Sequence, residues 1–277
     1  MISTLRCGKY QLDLTAPVVM GVLNVTPDSF SDGGQFNRVD KALAHARQML
    51  MDGAKIVDVG GESTRPGAAA VSLQEEMDRV CPVVEALVAE HNALVSVDTS
   101  SPKLMAEAVR LGAGIVNDVR AFQREGAIEA VAGSDAALCM MHMQGQPVFM
   151  QQAPLYENVI EEVGAFFEMR IRAMWQAGIP SSRLILDPGF GFGKSLGHNL
   201  TILRQLADFL KFNVPVLAGL SRKSMLGLIL DKPVEERLIG SVSAALLAAQ
   251  NGAKILRVHD VAETMDALKV WQAVLDR

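Results

Sequence analysis

Cysteine is scarce in this chain and unpatterned: Cys7, Cys81 and Cys139 are odd in number and far apart. That excludes a disulfide framework and a cysteine metal cluster. Histidine is sparse too, five residues with no HExxH or other paired spacing, so a transition-metal site is not expected. No apolar run approaches the length of a membrane span, and the N-terminus has no signal-peptide pattern. An excess of positive charge is also missing. The net charge is −5, which argues against nucleic acid or an anionic membrane as the main partner. A reducing cytoplasm is the expected setting.

What is present is ordinary globular composition, 49% apolar and 21% charged over 277 residues, enough for one large core. The most informative stretch runs from Arg183 to Ser195. Leu184-Ile-Leu186 is a short apolar run that stops at Asp187, then turns through Pro188 and the alternating glycines Gly189, Gly191 and Gly193. Such a run reads as a buried parallel strand delivering one carboxylate to a rim. Taken alone it is equally a turn in which Asp187 caps the next helix.

The pattern recurs. Gly53-Ala-Lys-Ile-Val-Asp58, Gly112-Ala-Gly-Ile-Val-Asn-Asp118 and Gly252-Ala-Lys-Ile-Leu-Arg-Val-His259 each give a helix-ending glycine, an alanine, a strand and polar residues near its end. Looser copies are Leu94 to Asp98, Ala137 to His142, Leu184 to Asp187 and Val214 to Ser221, and Val18 to Val25 is the first strand. Helical spacing fills most gaps: 39–51, 72–90, 102–111, 156–177, 199–209, 235–250 and 261–276, with a weak helix at 126–132. Eight strands alternating with helices predict an α/β fold, a (β/α)8 barrel, which takes roughly 250 residues. Leu5 to Leu14 alternates as a short N-terminal β-hairpin. No stretch looks inserted, so 1–277 is read as one domain; a doubly wound open sheet is the architectural alternative.

In a barrel the C-terminal strand ends carry the site. Here they hold Asn24, Asp58, Asp98, Asn117, Asp118, His142, Asp187, Ser221, Arg257 and His259, and Ser96 shares a face with Asp98 as Arg257 does with His259. Any one could be a core polar group or a cap; ten on one rim suggest a binding site. Phe30, Phe36, Phe122, Phe149, Phe190 and Phe192, six of the ten phenylalanines, fall in loops after strands, which predicts a flat or aromatic substrate. Asp98, Asn117 and Asp187 suit a heterocycle rich in N–H donors. Arg257, His259 and Ser221-Arg-Lys-Ser224 suit an anion. The Gly189–Ser195 glycines match neither a P-loop nor the dinucleotide fingerprint. A hard cation carried in by a phosphate ligand remains possible, with Asn24 as an oxygen ligand.

Five strings together resemble the bacterial dihydropteroate synthase family of pterin-binding barrels: Gly21-Val-Leu-Asn-Val-Thr-Pro-Asp-Ser-Phe-Ser-Asp-Gly-Gly34, Asp58-Val-Gly-Gly-Glu-Ser-Thr-Arg-Pro-Gly67, Asp187-Pro-Gly-Phe-Gly-Phe-Gly-Lys194, Gly219-Leu-Ser-Arg-Lys-Ser224 and Arg257-Val-His259. The resemblance spans nearly the whole chain in matching order. It implies a transferase of folate biosynthesis, usually a homodimer and a sulfonamide target, joining 6-hydroxymethyl-7,8-dihydropterin pyrophosphate to p-aminobenzoate with Mg²⁺. The chain ends soon after the eighth unit, so no fused folate-pathway domain is expected. By resemblance, Asp98, Asn117, Met141, Asp187, Gly219 and Lys223 hold the pterin. Asn24, Thr64, Arg65, Arg257 and His259 hold the pyrophosphate, with Asn24 on the metal. Phe30, Pro66, Phe192 and Ser224 meet p-aminobenzoate. Asp187, Lys223, Arg257, Asp32 and Arg65 serve the chemistry. Loops one (Phe30, Asp32) and two (Ser63, Thr64, Arg65, Pro66) are expected to be mobile until pyrophosphate orders them, so p-aminobenzoate should bind weakly without it. Three rivals stay open on residues alone: a pterin-dependent methyl transferase to a corrinoid protein, a Schiff-base aldolase using Lys223, and a non-catalytic pterin binder.

Overall fold

Eight strands run parallel around a barrel in the computed structural model, which describes residues 3–26, 35–62, 71–145 and 154–275. A hairpin comes first, β1 (Thr4–Cys7) and β2 (Tyr10–Asp13), antiparallel with Leu5 opposite Leu12. The barrel strands follow: β3 (Val18–Asn24), β4 (Ile56–Gly60), β5 (Val95–Asp98), β6 (Ile115–Asp118), β7 (Ala137–Met141), β8 (Leu184–Asp187), β9 (Leu217–Ala218) and β10 (Ile255–Val258). Neighbours pair in the order β8-β7-β6-β5-β4-β3-β10-β9. A single parallel bridge, Leu186 to Val216, with Leu186 N–H donating to the Pro215 carbonyl at 2.9 Å, brings β9 back to β8 and closes the ring. Strand β9 is far shorter than the eight-residue stretch Val214 to Ser221 suggests, because Pro215 has no N–H to give the ladder.

The helices α1 (Gln35–Met51), α2 (Leu73–His91), α3 (Pro102–Arg110), α4 (Ala127–Ala132), α5 (Val159–Gln176), α6 (Leu196–Arg204), α7 (Ser224–Leu230), α8 (Leu238–Gln250) and α9 (Val261–Leu275) surround the barrel. The Gly-Ala repeat is a repeated C-cap. Gly53, Gly112 and Gly252 have φ of 107°, 100° and 101°, and the alanine after each donates to the carbonyl five residues back at 2.9 Å. That pairing, with each glycine N–H on the carbonyl three back, is the Schellman end, and it turns the chain straight into the next strand. Helix starts are set as locally. Ser72 and Glu75 form a capping box for α2, and Ser195 and His198 form one for α6, which is why α6 begins three residues before the apolar spacing implies. Helix α7 has no counterpart in the sequence reading. At seven residues it is too short for a helical period to show.

Alternation along the strands sorts the core. Outward residues such as Val57, Val97, Val116, Leu138 and Leu186 pack under the helices. Inward residues Met20, Ile56, Ile115, Ala137, Ile185, Leu217 and Ile255 fill the lower lumen together with Leu5, Cys7, Leu12 and Leu14 of the hairpin. Leu5 and Leu14 are wholly buried. Each such side chain contributes roughly 1.5–3 kcal/mol, and the hairpin thereby stoppers the N-terminal end. The next inward layer changes character, and that layer is the site.

Candidate active site

Two residues past the apolar layer, five of the eight strands carry a polar side chain: Asp58 on β4, Ser96 on β5, Asn117 on β6, Asp187 on β8 and Arg257 on β10. One layer nearer the mouth stand Asn24, Asp98 and, just past β10, His259. Asp58 lies opposite Ser96 and Gly60 opposite Asp98, whereas the stagger between β5 and β6 sets Asn117 opposite Asp98.

Arg257 organises the layer. Its Nε donates to Asp58 Oδ2 at 2.6 Å and its Nη2 to Asp98 Oδ2 at 2.9 Å, so one guanidinium spans two acids on adjacent strands. Burial opposes its charge, yet Asp58 and Asp98 together hold its pKa above the usual arginine value. Asp98 pays part of the electrostatic cost: burial lifts its pKa to about 7, Arg257 pulls the other way, and Asp58 and Asp118 add repulsion. Asp187 is also raised by burial, against a 2.7 Å hydrogen bond from Gly189 N–H and the pull of Lys223 and Arg257. Lys223 is lowered to about 8 by burial and by Arg257, while Asp187 and Asp98 support its charge. Its ammonium sits 4.1 Å above the centre of the Phe192 ring, a cation–π contact, and Phe192 packs on Met141.

Three buried polar atoms in this layer have no hydrogen-bond partner among the described residues: Asp58 Oδ1, Ser96 Oγ and Asn117 Oδ1. Leaving a buried polar group unpaired costs about 1–3 kcal/mol each. Three of them, beside the buried Asp187 and the half-buried Asp98, form a surface built to accept hydrogen bonds from something else.

At the rim, His259 accepts no proton readily. Burial and the neighbouring Arg257 press its pKa down to about 4, and its Nδ1 lies 3.0 Å from Ser221 Oγ. Asn24 ends β3 half-buried, its amide oxygen near Gly60 and Asp98. Among the described residues no cluster of three His, Cys, Asp or Glu could hold a metal alone. One amide oxygen fits an ion whose other ligands arrive with a phosphate substrate, the usual habit of Mg²⁺.

The loop carrying Asp187 to Phe192 is fixed from beneath. Gly189 has φ 70°, and a Cβ there would lie 1.9 Å from the His142 carbonyl oxygen, so no other residue fits. Lys194 is buried and donates to the carbonyls of Gly189 at 2.9 Å, Phe192 at 3.0 Å and His142 at 3.3 Å, with His142 Nδ1 at 3.0 Å. Asn199 on α6 accepts from Gly191 N–H at 2.8 Å. Neither anchor shows as a site residue in the sequence; a lysine after an apolar glycine loop was the signal available.

Of the expected residues, Asn24, Asp98, Asn117, Met141, Asp187, Phe192, Gly219, Lys223, Arg257 and His259 converge on the mouth, and Ser224 starts α7 beside Lys223, exposed. Phe30, Asp32, Ser63, Thr64, Arg65, Pro66 and Phe149 lie outside the described residues, as does the Phe36 side chain. Others belong elsewhere. Asp118 faces away from the lumen and accepts from Ser100 Oγ and from the Arg120 and Phe122 N–H groups, shaping a loop. His142 packs edge-on against Phe166 and serves Lys194. Phe122 and Phe190 are core residues under the helices, because their loops fold back onto the barrel. Arg222 points to Asp260, paired at 2.6 Å, and not to an anion.

Comparison with known proteins agrees with this geometry. A family model described as pterin binding enzyme matches residues 20–259. Dihydropteroate synthase of Haemophilus influenzae is 55% identical over 262 residues, 95% of each chain. The Yersinia pestis dihydropteroate synthase solved with a sulfonamide drug superposes with a TM-score of 0.94 at 50% identity, covering 99% of this chain and 100% of that one. The Burkholderia cenocepacia dihydropteroate synthase complexed with 7,8-dihydropteroate gives 0.91 at 45% identity, covering 99% and 97%.

Proposed function

Since the chain belongs to the pterin-binding enzyme family and within it to the dihydropteroate synthases, we propose how its own residues divide the work of joining 6-hydroxymethyl-7,8-dihydropterin pyrophosphate to p-aminobenzoate. The activity itself, a transferase step of folate biosynthesis, follows from family membership. The observation that carries the division is the set of unpaired acceptors. Asn117 Oδ1 lacks a partner, and the Asp98 and Asp187 carboxylates are held above their ordinary pKa by burial. A pterin edge rich in N–H donors gives Asn117 Oδ1 the partner it lacks and adds donors to carboxylates that already accept from Arg257 and from Gly189 N–H. Met141 and Phe192 line the ring's faces, with Gly219 and Lys223 completing the pocket.

Pyrophosphate then meets the rim. Five N–H donors belong to Arg257 and two are engaged, which leaves three for an anion, with His259 and Asn24 alongside. Asn24 would hold Mg²⁺ through its amide oxygen, and the ion supplies neutralisation of the leaving group's charge. Thr64, Arg65 and Asp32 complete this reading by resemblance. The carbon–oxygen bond to the pterin methylene breaks and its electrons leave with pyrophosphate. The methylene cation is conjugated to the ring, where the Asp187 carboxylate lowers its energy. The arylamine nitrogen, lodged by Phe30, Pro66, Phe192 and Ser224, attacks and sheds a proton. A neutral, weakly basic amine requires no strong general base. We also propose a cytoplasmic homodimer; the free thiols Cys7, Cys81 and Cys139 agree with a reducing compartment.

The test compares ligands. Wild-type protein with both substrates and Mg²⁺ should release dihydropteroate and pyrophosphate. Arg257→Ala should weaken binding of the pyrophosphate substrate far more than binding of the free pterin alcohol. Equal losses for both would reassign Arg257 to the ring.

A further inference from the structure

We propose that Asp58 is a positioning residue of the reaction: it anchors Arg257 in the lumen so that Asp98 can leave the guanidinium for the pterin. This rests on the roles given to Asp98 and Arg257 above.

The two carboxylates that share Arg257 are not equivalent. Asp98 is half-buried and stands in the upper layer, where a ligand reaches it. Asp58 is wholly buried one layer deeper, opposite Ser96. They also take different ends of the side chain. Asp58 holds Nε, next to the aliphatic stem, at 2.6 Å, and Asp98 holds the tip nitrogen Nη2 at 2.9 Å. The stem lies beside Gly219, which has no side chain to brace it.

When a pterin draws Asp98 away, the tip is released and the base of the guanidinium stays fixed. Four of the five N–H groups then face an incoming anion from a side chain that has already given up its rotational freedom. Charge is conserved through the exchange: Arg257 keeps one buried counter-ion throughout and never stands in the lumen as an uncompensated cation. Without Asp58, Asp98 would be the one carboxylate left hydrogen-bonded to the guanidinium among the described residues, so pterin binding and arginine placement would compete for it. The ring would still find Asp187 and Asn117. What should suffer is the grip on the departing pyrophosphate, a group whose charge grows in the transition state.

The experiment uses the full chain, with wild type first shown to form dihydropteroate; if it does not, the underlying reading fails instead. Asp58→Asn keeps size and a hydrogen-bond acceptor and removes the charge. It should lower kcat/KM for the pterin pyrophosphate by about tenfold or more, chiefly in kcat, since misplacing one charged group by an ångström costs that much. Calorimetric affinity for the free pterin alcohol should change by less than about threefold, within the scatter of a site whose ring contacts are intact. Repeated in an Arg257→Ala background, Asp58→Asn should add no more than about a twofold loss, because a residue acting through Arg257 has nothing left to position. Asp58→Ser should reproduce the split if the asparagine variant does not fold. The proposal is overturned by a full additional loss in the Arg257→Ala background, by equal damage to both ligands, or by unchanged kcat/KM in folded Asp58→Asn. It is overturned too if neither variant folds, since Asp58 would then be a residue of folding.

Discussion

Asp187 shows how a single carboxylate is prepared. Burial raises its pKa, and one backbone hydrogen bond at 2.7 Å restrains the rise. A ligand N–H would restore what desolvation removed. A charged hydrogen bond of this kind is worth roughly 1.5–3 kcal/mol, so Asp187→Asn should weaken pterin binding at least about tenfold by calorimetry. An unchanged affinity in a folded variant would remove Asp187 from the pterin site. Its position was legible because a short continuous apolar run that stops at an acid marks the end of a buried parallel strand. The partners of Arg257 were not legible. Asp58 and Asp98 stand 199 and 159 residues away in sequence, and only closure of the barrel brings them within reach. Phe122 and Phe190 misled for the converse reason: a loop position says nothing about which way a ring turns, and both fold back into the helical layer.

At the scale of elements, the β8–α6 connection is a loop suspended on Lys194 and His142. Burial drives both toward their neutral forms, His142 to about 3 from 6.5 and Lys194 to about 7 from 10.5. Each binds fewer protons folded than unfolded, His142 between pH 3 and 6.5 and Lys194 between pH 7 and 10.5. Stability therefore rises with pH through both windows and is lost as pH falls from about 6.5 toward 3. Asp98 contributes with the opposite sign below pH 7, its folded pKa being raised. The comparison must accordingly be between variants. His142→Phe should show a flatter urea midpoint between pH 6.5 and 4 than wild type, and a lower midpoint at pH 7, where Lys194 has lost an acceptor. Parallel curves would mean that His142 carries no part of the acid sensitivity. Strands and most helices were legible from spacing and from the repeated Gly-Ala cap. Helix α7 and the brevity of β9 were not, because one is a single short run and the other depends on where a proline meets its neighbour.

The whole molecule leaves an unequal surface. On α8 the barrel side is small, with Ser241, Ala244, Ala245, Ala248 and Ala249 buried, while Ile239 is 75% and Leu247 48% exposed. Leu228 and Ile229 on α7 and Val270 and Val274 on α9 are exposed as well. Packing against the barrel does not cover these side chains. A second copy of the chain would. Ile239→Glu with Leu247→Glu should halve the mass measured by sedimentation at micromolar concentration. An unchanged mass would separate this face from self-association.

The hairpin at the foot of the barrel has a kinetic meaning. Leu5, Leu12 and Leu14 seal that end, so among the described residues the lumen is a well closed at its foot. Such a well is a stack: what enters last must leave first. On the proposed division of the site, the pterin should go in first and the arylamine settle above it, so that nothing beneath could be exchanged while the upper occupant remained. Dihydropteroate, filling the column from floor to brim, should compete with pterin pyrophosphate for free enzyme, and p-aminobenzoate alone should find no lasting hold. Initial-rate patterns showing random entry of the two substrates would mean that the well has a second door.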